Sequence, residues 1–235
     1  MLHNSKILVS DAVYDNPPAY LFDAADWPTD AGSATAGRGN TFFVGDAAGD
    51  FVLRHYHRGG LVAKLSTDRY FALGAGHSRS FREWRLLKHL YTNGLPVPEP
   101  VAARYVRSGI TYRADLLTRR IPNAQTLAEL LAYTALTPAA WRALGATLRA
   151  FHDKGVWHAD LNAHNIMRDR EDAWYLIDFD RGRIRAGVGW KPSNLARLQR
   201  SLLKITGNAG AANFDDAAWG ELMAGYETSS ARSSA

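Results

Sequence analysis

Short apolar runs, Phe42 to Val44 and Phe51 to Leu53, make residues 41–44 and 50–56 strand-like, and the turn between them holds Gly45, Asp46 and Gly49, so a β-hairpin is predicted there. The period then changes. Over residues 80–91, Phe81, Trp84, Leu87 and Leu90 share one helical stripe, which Gly94 and Pro96 terminate. Two further strands are predicted over 101–106 and 111–117, and a short helix over 126–133. Thr137 and Pro138 read as the N-cap and first residue of a longer helix that buries Trp141, Leu144, Leu148 and Phe151 and ends at Gly155. Strands at 165–168 and 174–179 flank a polar turn, and helices follow at about 193–205 and 215–226. Residues 1–30 carry only a weak pattern, and the small-residue stretch 30–39 reads as a mobile loop. Strands dominate the first half and helices the second, which predicts an α+β fold with two lobes. No internal repeat is visible.

Composition narrows this picture without redirecting it. A chain of 235 residues with 46% hydrophobic and 22% charged residues can bury a core, which excludes wholesale disorder. Zero cysteines exclude disulfides, thiolate nucleophiles and Cys-ligated metals. Lys and Arg number 28 against 23 Asp and Glu, a net +5 that favours an anionic partner without choosing which. No secretory signal is visible at the N-terminus, and no stretch approaches the ~18 apolar residues of a membrane span. The expectation is a soluble or membrane-peripheral, intracellular protein.

Candidate chemistry concentrates in His158-Ala-Asp160-Leu-Asn-Ala-His-Asn165 and the downstream Asp178-Phe179-Asp180. A hairpin connects Asn165 to Asp178, so the two converge at its open end. Amide and carboxylate oxygens suit Mg2+, a hard cation that completes its shell with water and phosphate oxygens. Asp160, five residues before Asn165, can face the same point as a base or orienting group for an attacking hydroxyl. Turn and cap roles are the bland alternative for Asp and Asn, but three of them at this spacing around a hairpin favour function. His158 reads instead as a structural histidine bonded to backbone.

These residues resemble the protein-kinase-like phosphotransferases, whose catalytic loop runs His-x-Asp-x-x-x-x-Asn and whose metal motif is Asp-Phe-Gly. The resemblance implies ATP and Mg2+ as cofactors, with metal at Asn165 and Asp178 and Asp160 as the catalytic residue. It also implies a phosphate-gripping cation at Arg54, where the family carries lysine, held by Glu83 on the first helix. Gly37 and Gly39 would be a fragment of the glycine-rich phosphate loop. Rival readings stand beside these: Ser80 and Glu83 fit a capping box, and the two glycines fit a flexible linker. Asp180 replaces the motif glycine, and no Ala-Pro-Glu segment follows, so peptide acceptors are not expected.

Finer marks resemble the bacterial 3-deoxy-D-manno-octulosonic acid (Kdo) kinases of the lipopolysaccharide kinase group. They are Val52-Leu-Arg54-His-Tyr-His-Arg58-Gly-Gly60, Gly94-Leu-Pro-Val-Pro98 and Asn194-Leu-Ala-Arg197-Leu-Gln-Arg200-Ser201, and the likeness runs from about Gly37 to Lys204. It implies one catalytic domain with a small β-rich N-lobe (about 1–117), a hinge (118–121), a mostly helical C-lobe (122–227) and a flexible tail (228–235). It further implies phosphorylation of the Kdo 4-hydroxyl on a lipid A precursor, at the cytoplasmic face of the inner membrane. Residues 181–214 hold seven Lys or Arg and no acid. Arg181 and Arg183 there, with Arg58, are candidate acceptor contacts, and Trp190 is a candidate for the membrane interface. The bland reading of this run is a solvated helical face. A different small acceptor (a heptose or an aminoglycoside) and a membrane-docking pseudokinase remain open alternatives. Nucleic acid is not expected as a partner, because neither a helix-turn-helix nor a stacking platform accompanies the basic run.

Overall fold

Strand β3 (Gly49–His55) shows why the first half folds as it does. Phe51 and Leu53 are fully buried on one face, while Arg54 and Tyr56 point to the other. In the computed structural model, which describes residues 4–10, 12–28, 41–56, 70–71, 74–108, 111–209 and 213–231, β3 lies inside an antiparallel sheet. The other strands are β1 (Asn4–Val9), β2 (Thr41–Asp46), β4 (Tyr70–Phe71), β5 (Pro100–Ser108) and β6 (Thr111–Arg119). Their order is β1-β5-β6-β3-β2, with β4 also paired to β6. Helix α1 (Arg79–Thr92) turns Glu83 and Trp84 inward.

The weakly patterned N-terminal residues are structural after all. β1 pairs with β5, and Leu21, Phe22 and Trp27 cap the sheet face that Phe51, Leu53 and Leu117 line. A short 3-10 turn carries Leu21 and Phe22 and a second one ends at Trp27, and such irregular segments have no period to read. Tyr14 and Tyr20 fasten the segment by donating to Asp46 at the hairpin turn, at 2.6 and 3.0 Å.

The chain divides into two compact units. One takes it up to Tyr91 together with Pro98–Arg120; the other takes Thr92–Val97 and everything from Ile121 on. Leu176 N–H donates to Pro96 C=O at 3.1 Å, which ties the 92–97 segment to the second unit. That unit opens with β7 (Gln125–Thr126) and α2 (Leu127–Tyr133), whose N-terminus is a capping box between Thr126 and Glu129. Thr137 caps α3 (Pro138–Asp153), with Pro138 at its first turn. β8 (Val156–Trp157), β9 (Ile166–Arg168), β10 (Trp174–Leu176) and β11 (Arg183–Ile184) follow, then α4 (Lys191–Ala209) and α5 (Asp216–Ala231). Helix α5 runs four residues into the span expected as a flexible tail. Among the described residues, no helix is long and apolar enough to cross a membrane.

Candidate active site

Gly155 turns the chain out of α3 with φ +71, and a Cβ there would lie 2.7 Å from the Arg185 carbonyl. Only glycine permits both. β8 then pairs with β11 and delivers the chain to His158. Both ring nitrogens of His158 serve the backbone. Nε2–H donates to Ile177 C=O at 2.8 Å, and Nδ1 accepts from Asp160 N–H at 3.2 Å. Burial holds its pKa below the ordinary histidine value. A protonated ring could not accept from Asp160, so His158 acts as a neutral brace across the loop.

Asparagines organise the rest of the loop. The Asp160 carbonyl accepts from Asn162 Nδ2 at 3.0 Å and from Asn165 Nδ2 at 2.9 Å. The second bond sets the Asn165 amide, leaving its carbonyl oxygen as the atom that can face a cation. Asn162 also accepts from His164 N–H at 2.8 Å, capping the short 3-10 turn 163–165. β9 and β10 pair antiparallel, and Ile177 N–H extends the ladder by donating to Asn165 C=O at 3.0 Å. Asp178, one residue further, therefore leaves the hairpin beside Asn165.

Asp178 adopts φ +61 and Arg181 φ +77, left-handed conformations that cost on the order of 1–3 kcal/mol each for non-glycine residues. Asp180 is not among the positive-φ residues. The motif glycine that Asp180 replaces is thus not required by the backbone here. Phe179 is fully buried, its ring against His158 at 4.8 Å and Phe151 at 6.0 Å, which anchors the chain just past Asp178.

Helix α4 supports this loop through one face. Asn194, Arg197 and Ser201 lie at i, i+3 and i+7, and each reaches a different loop residue. Asn194 Nδ2 donates to His158 C=O at 2.8 Å, and Ser201 Oγ accepts from Ala163 N–H at 3.2 Å. Arg197 donates through Nε to Asp160 Oδ1 at 3.1 Å and through Nη2 to the same oxygen. Behind them, His152 bonds Asn194 Oδ1 at 3.2 Å and the Tyr226 hydroxyl at 2.7 Å, joining α3, α4 and α5. The sequence placed Arg197 in a basic run and assigned Asn194 and Ser201 no role in the site. Their i, i+3, i+7 spacing was the available signal.

In the strand-rich unit, Arg54 Nη2 lies 2.5 Å from Glu83 Oε2 and 3.0 Å from the Tyr56 hydroxyl, which itself donates to Glu83 at 2.5 Å. Glu83 is buried, and Tyr56 titrates well above the ordinary tyrosine value through burial and the neighbouring carboxylate. Glu83 thus pairs with Arg54, and the rival capping box of Ser80 and Glu83 gives way to other contacts. Ser80 Oγ donates to Arg104 C=O at 3.0 Å, while Ser78 Oγ accepts from Phe81 N–H at 3.4 Å. Tyr56 was missed, because a strand tyrosine two residues from Arg54 reads as core.

Gly37, Gly39 and Arg58 lie outside the described residues. Arg183 and Arg185 stack on Trp157, at 5.1 and 4.6 Å from its ring centre, and Arg181 is exposed. Trp190 takes part in the packing of the second unit. Its half-buried ring packs edge-on against His152 at 5.0 Å and its indole N–H donates to Gly187 C=O at 3.1 Å.

Among the described residues, no group of three or more His, Cys, Asp or Glu gathers as a metal centre. At the hairpin end, Asn165 and Asp178 offer one amide and one carboxylate oxygen donor to a cation. That small, hard-oxygen donor set fits Mg2+, which is usually held by one or two protein ligands plus phosphate and water.

Comparison with known proteins agrees in kind. Residues 28–226 match the profile described as the lipopolysaccharide kinase (Kdo/WaaP) family. A 3-deoxy-D-manno-octulosonic acid kinase of Xanthomonas axonopodis pv. citri is 48% identical over 196 residues, covering 81% of this chain and 77% of the relative. The similarly named kinase of Photobacterium profundum is 42% identical over 227 residues, covering 95% of each chain.

Proposed function

This chain belongs to the lipopolysaccharide kinase (Kdo/WaaP) family, a kinase-like family, and from that premise we propose that it transfers the γ-phosphoryl group of ATP to the 4-hydroxyl of a Kdo residue on a lipid A precursor. The observation that carries this reading is the hairpin end, where Asn165 Nδ2 donates to Asp160 C=O at 2.9 Å and Asn165 C=O accepts at 3.0 Å from the N–H of Ile177, the residue before Asp178. Asp160 is exposed there and presents its carboxylate to an incoming hydroxyl, which it orients and whose proton it accepts. Asn165 and Asp178 would hold Mg2+, which when bound neutralises phosphate charge. Arg54, fixed by Glu83 and Tyr56, is assigned to nucleotide phosphate, where a guanidinium can donate two parallel hydrogen bonds. Rate enhancement comes mainly from positioning and charge neutralisation.

We further assign the protein to the anionic cytoplasmic face of the inner membrane as a peripheral protein. Arg181, Arg183 and Arg185 are exposed beside the exposed apolar side chains Ile184 and Val188, a composition suited to an anionic lipid surface.

The test is incubation of the purified protein with ATP, Mg2+ and Kdo-bearing lipid A precursor, with and without anionic vesicles, read by mass spectrometry for one added phosphate. The wild type is expected to add it, faster on vesicles, whereas Asp160→Ala and Asp178→Ala fold but transfer none. Transfer to a heptose or an aminoglycoside instead would reassign the acceptor. Nucleotide binding without turnover on any acceptor would make the chain a pseudokinase, and equal rates with and without vesicles would remove the membrane assignment.

A further inference from the structure

Of the three α4 side chains that reach the loop, two are scaffold. Asn194 and Ser201 bond backbone groups, and neither touches a side chain of the proposed chemistry. Arg197 differs in its target, because it engages the carboxylate of Asp160 itself. It also differs in setting: the Arg197 side chain is 49% exposed and that of Asp160 54% exposed. An ion pair this open contributes little to stability, because water screens it and two mobile side chains must be ordered. Holding the fold together does not account for it.

Hydrogen-bond capacity points elsewhere. A guanidinium carries five N–H donors. Two of those on Arg197, one on Nε and one on Nη2, go to the single oxygen Oδ1 of Asp160. Three N–H groups on Nη1 and Nη2 remain, and they make a second fork of the shape that takes a carboxylate bidentately. Asp160 Oδ2 is likewise left for the acceptor hydroxyl.

We propose that Arg197 is the acceptor-binding residue that recognises a carboxylate on the sugar, bridging it to Asp160. The inference rests on the functional reading above and deepens it by naming the feature of the acceptor that is read. In a 3-deoxy-2-ulosonic acid the carboxylate is borne by ring carbon 2 and the reacting hydroxyl by ring carbon 4, a 1,3 relation within one six-membered ring. A hydroxyl placed on Asp160 therefore brings a second carboxylate close to the first. Two carboxylates at that separation repel strongly unless a cation lies between them. Arg197 already sits on one of them. A neutral sugar needs no such cation, so this arrangement selects for acids. Arg200 and Lys204, further along the same helix, are exposed and do not share this position.

The experiment crosses two changes. Wild-type protein, Arg197→Ala and Arg197→Lys are assayed on the Kdo-bearing precursor and on the same precursor with its Kdo carboxylate reduced to the alcohol. On the wild type, reduction of the carboxylate is expected to lower kcat/KM by about tenfold or more, the scale of a lost charge-assisted hydrogen-bond pair. Arg197→Ala should lose a similar factor on the natural acceptor, mainly through acceptor KM, with the KM for ATP unchanged and no further loss on the reduced acceptor. Arg197→Lys keeps the charge without the fork and should fall between them. If Arg197→Ala slows both acceptors by the same factor and keeps the preference for the acid, the residue only positions Asp160 and the inference is overturned. A wild type indifferent to carboxylate reduction overturns it as well, without reference to how any variant folds. In both cases the kinase assignment survives. A wild type that phosphorylates neither acceptor sinks the functional reading and the inference together.

Discussion

Arg54, Tyr56 and Glu83 form a closed triangle in which the glutamate accepts twice. Because Glu83 is buried, each donor offsets part of the cost of keeping its charge out of water. Glu83→Gln removes that charge while keeping the shape, and leaves Arg54 without its anion. The expected outcome is a loss of about 1–3 kcal/mol in urea unfolding together with a raised KM for ATP and an unchanged KM for acceptor. Tyr56→Phe should cost less, about 1 kcal/mol, since one neutral donor is lost and the ion pair stays. A KM change for acceptor rather than ATP would contradict the assignment of Arg54 to phosphate. In the other unit, the meeting of Asp160, Asn165 and Asp178 on one loop and hairpin was legible from spacing, because a tight loop followed by a hairpin leaves few places for residues five and eighteen positions apart. Tyr56 and Arg197 were not. Their partners come from another element, and side-chain identity alone does not say whether a strand tyrosine fills a core or which arginine in a basic run reaches the Asp160 loop.

All five α-helices were legible in the sequence, most sharply where a cap marks them, whereas segments that only packing decides were not. Thr126, Thr137 and Pro138 announce α2 and α3 in the sequence and cap them in the structure. β1 and the 3-10 turns after it carry no comparable punctuation, and tertiary contact alone makes them structure. The crossing of α3 and α5 is equally silent. A Cβ on Gly145 would lie 2.0 Å from Leu222 O, and one on Gly225 2.0 Å from Arg142 O, so the two backbones touch with no side chain between them. In sequence, Gly220 and Gly225 of α5 look alike, yet Gly220 has nothing within 4 Å. Gly225→Ala must push backbone away from backbone and is expected to destabilise by at least about 1–3 kcal/mol, the range of an overpacked core. Gly220→Ala should instead stabilise by about 0.5–1 kcal/mol through helix propensity. Denaturant midpoints of the pair measure the contrast, and equal shifts would mean that the helices cross less closely than described.

The close crossing brings Tyr226 to His152, and His152 to Asn194, so a buried imidazole links three helices to the loop that carries Asp160. Burial is the main cause that lowers the His152 pKa from 6.5 to about 4, and the asparagine bond opposes it only in part. The unfolded chain then binds a proton near pH 6.5 that the folded chain refuses until about pH 4. Folding stability is therefore flat in this group above pH 6.5, declines as pH falls between the two values, and has lost its full contribution below about 4. The decline amounts to something on the order of 3 kcal/mol. His158, buried and lowered in the same direction, adds to it. His152→Gln, which keeps a neutral hydrogen-bonding side chain but cannot titrate, should unfold with a visibly shallower dependence on pH between 6.5 and 4 than the wild type. Subtracting the two curves of unfolding free energy against pH removes the carboxylates that titrate at the lower end. A difference that stays constant across the window would mean that His152 takes up its proton in the folded protein as readily as in the unfolded one, and that the three-helix junction is open to water.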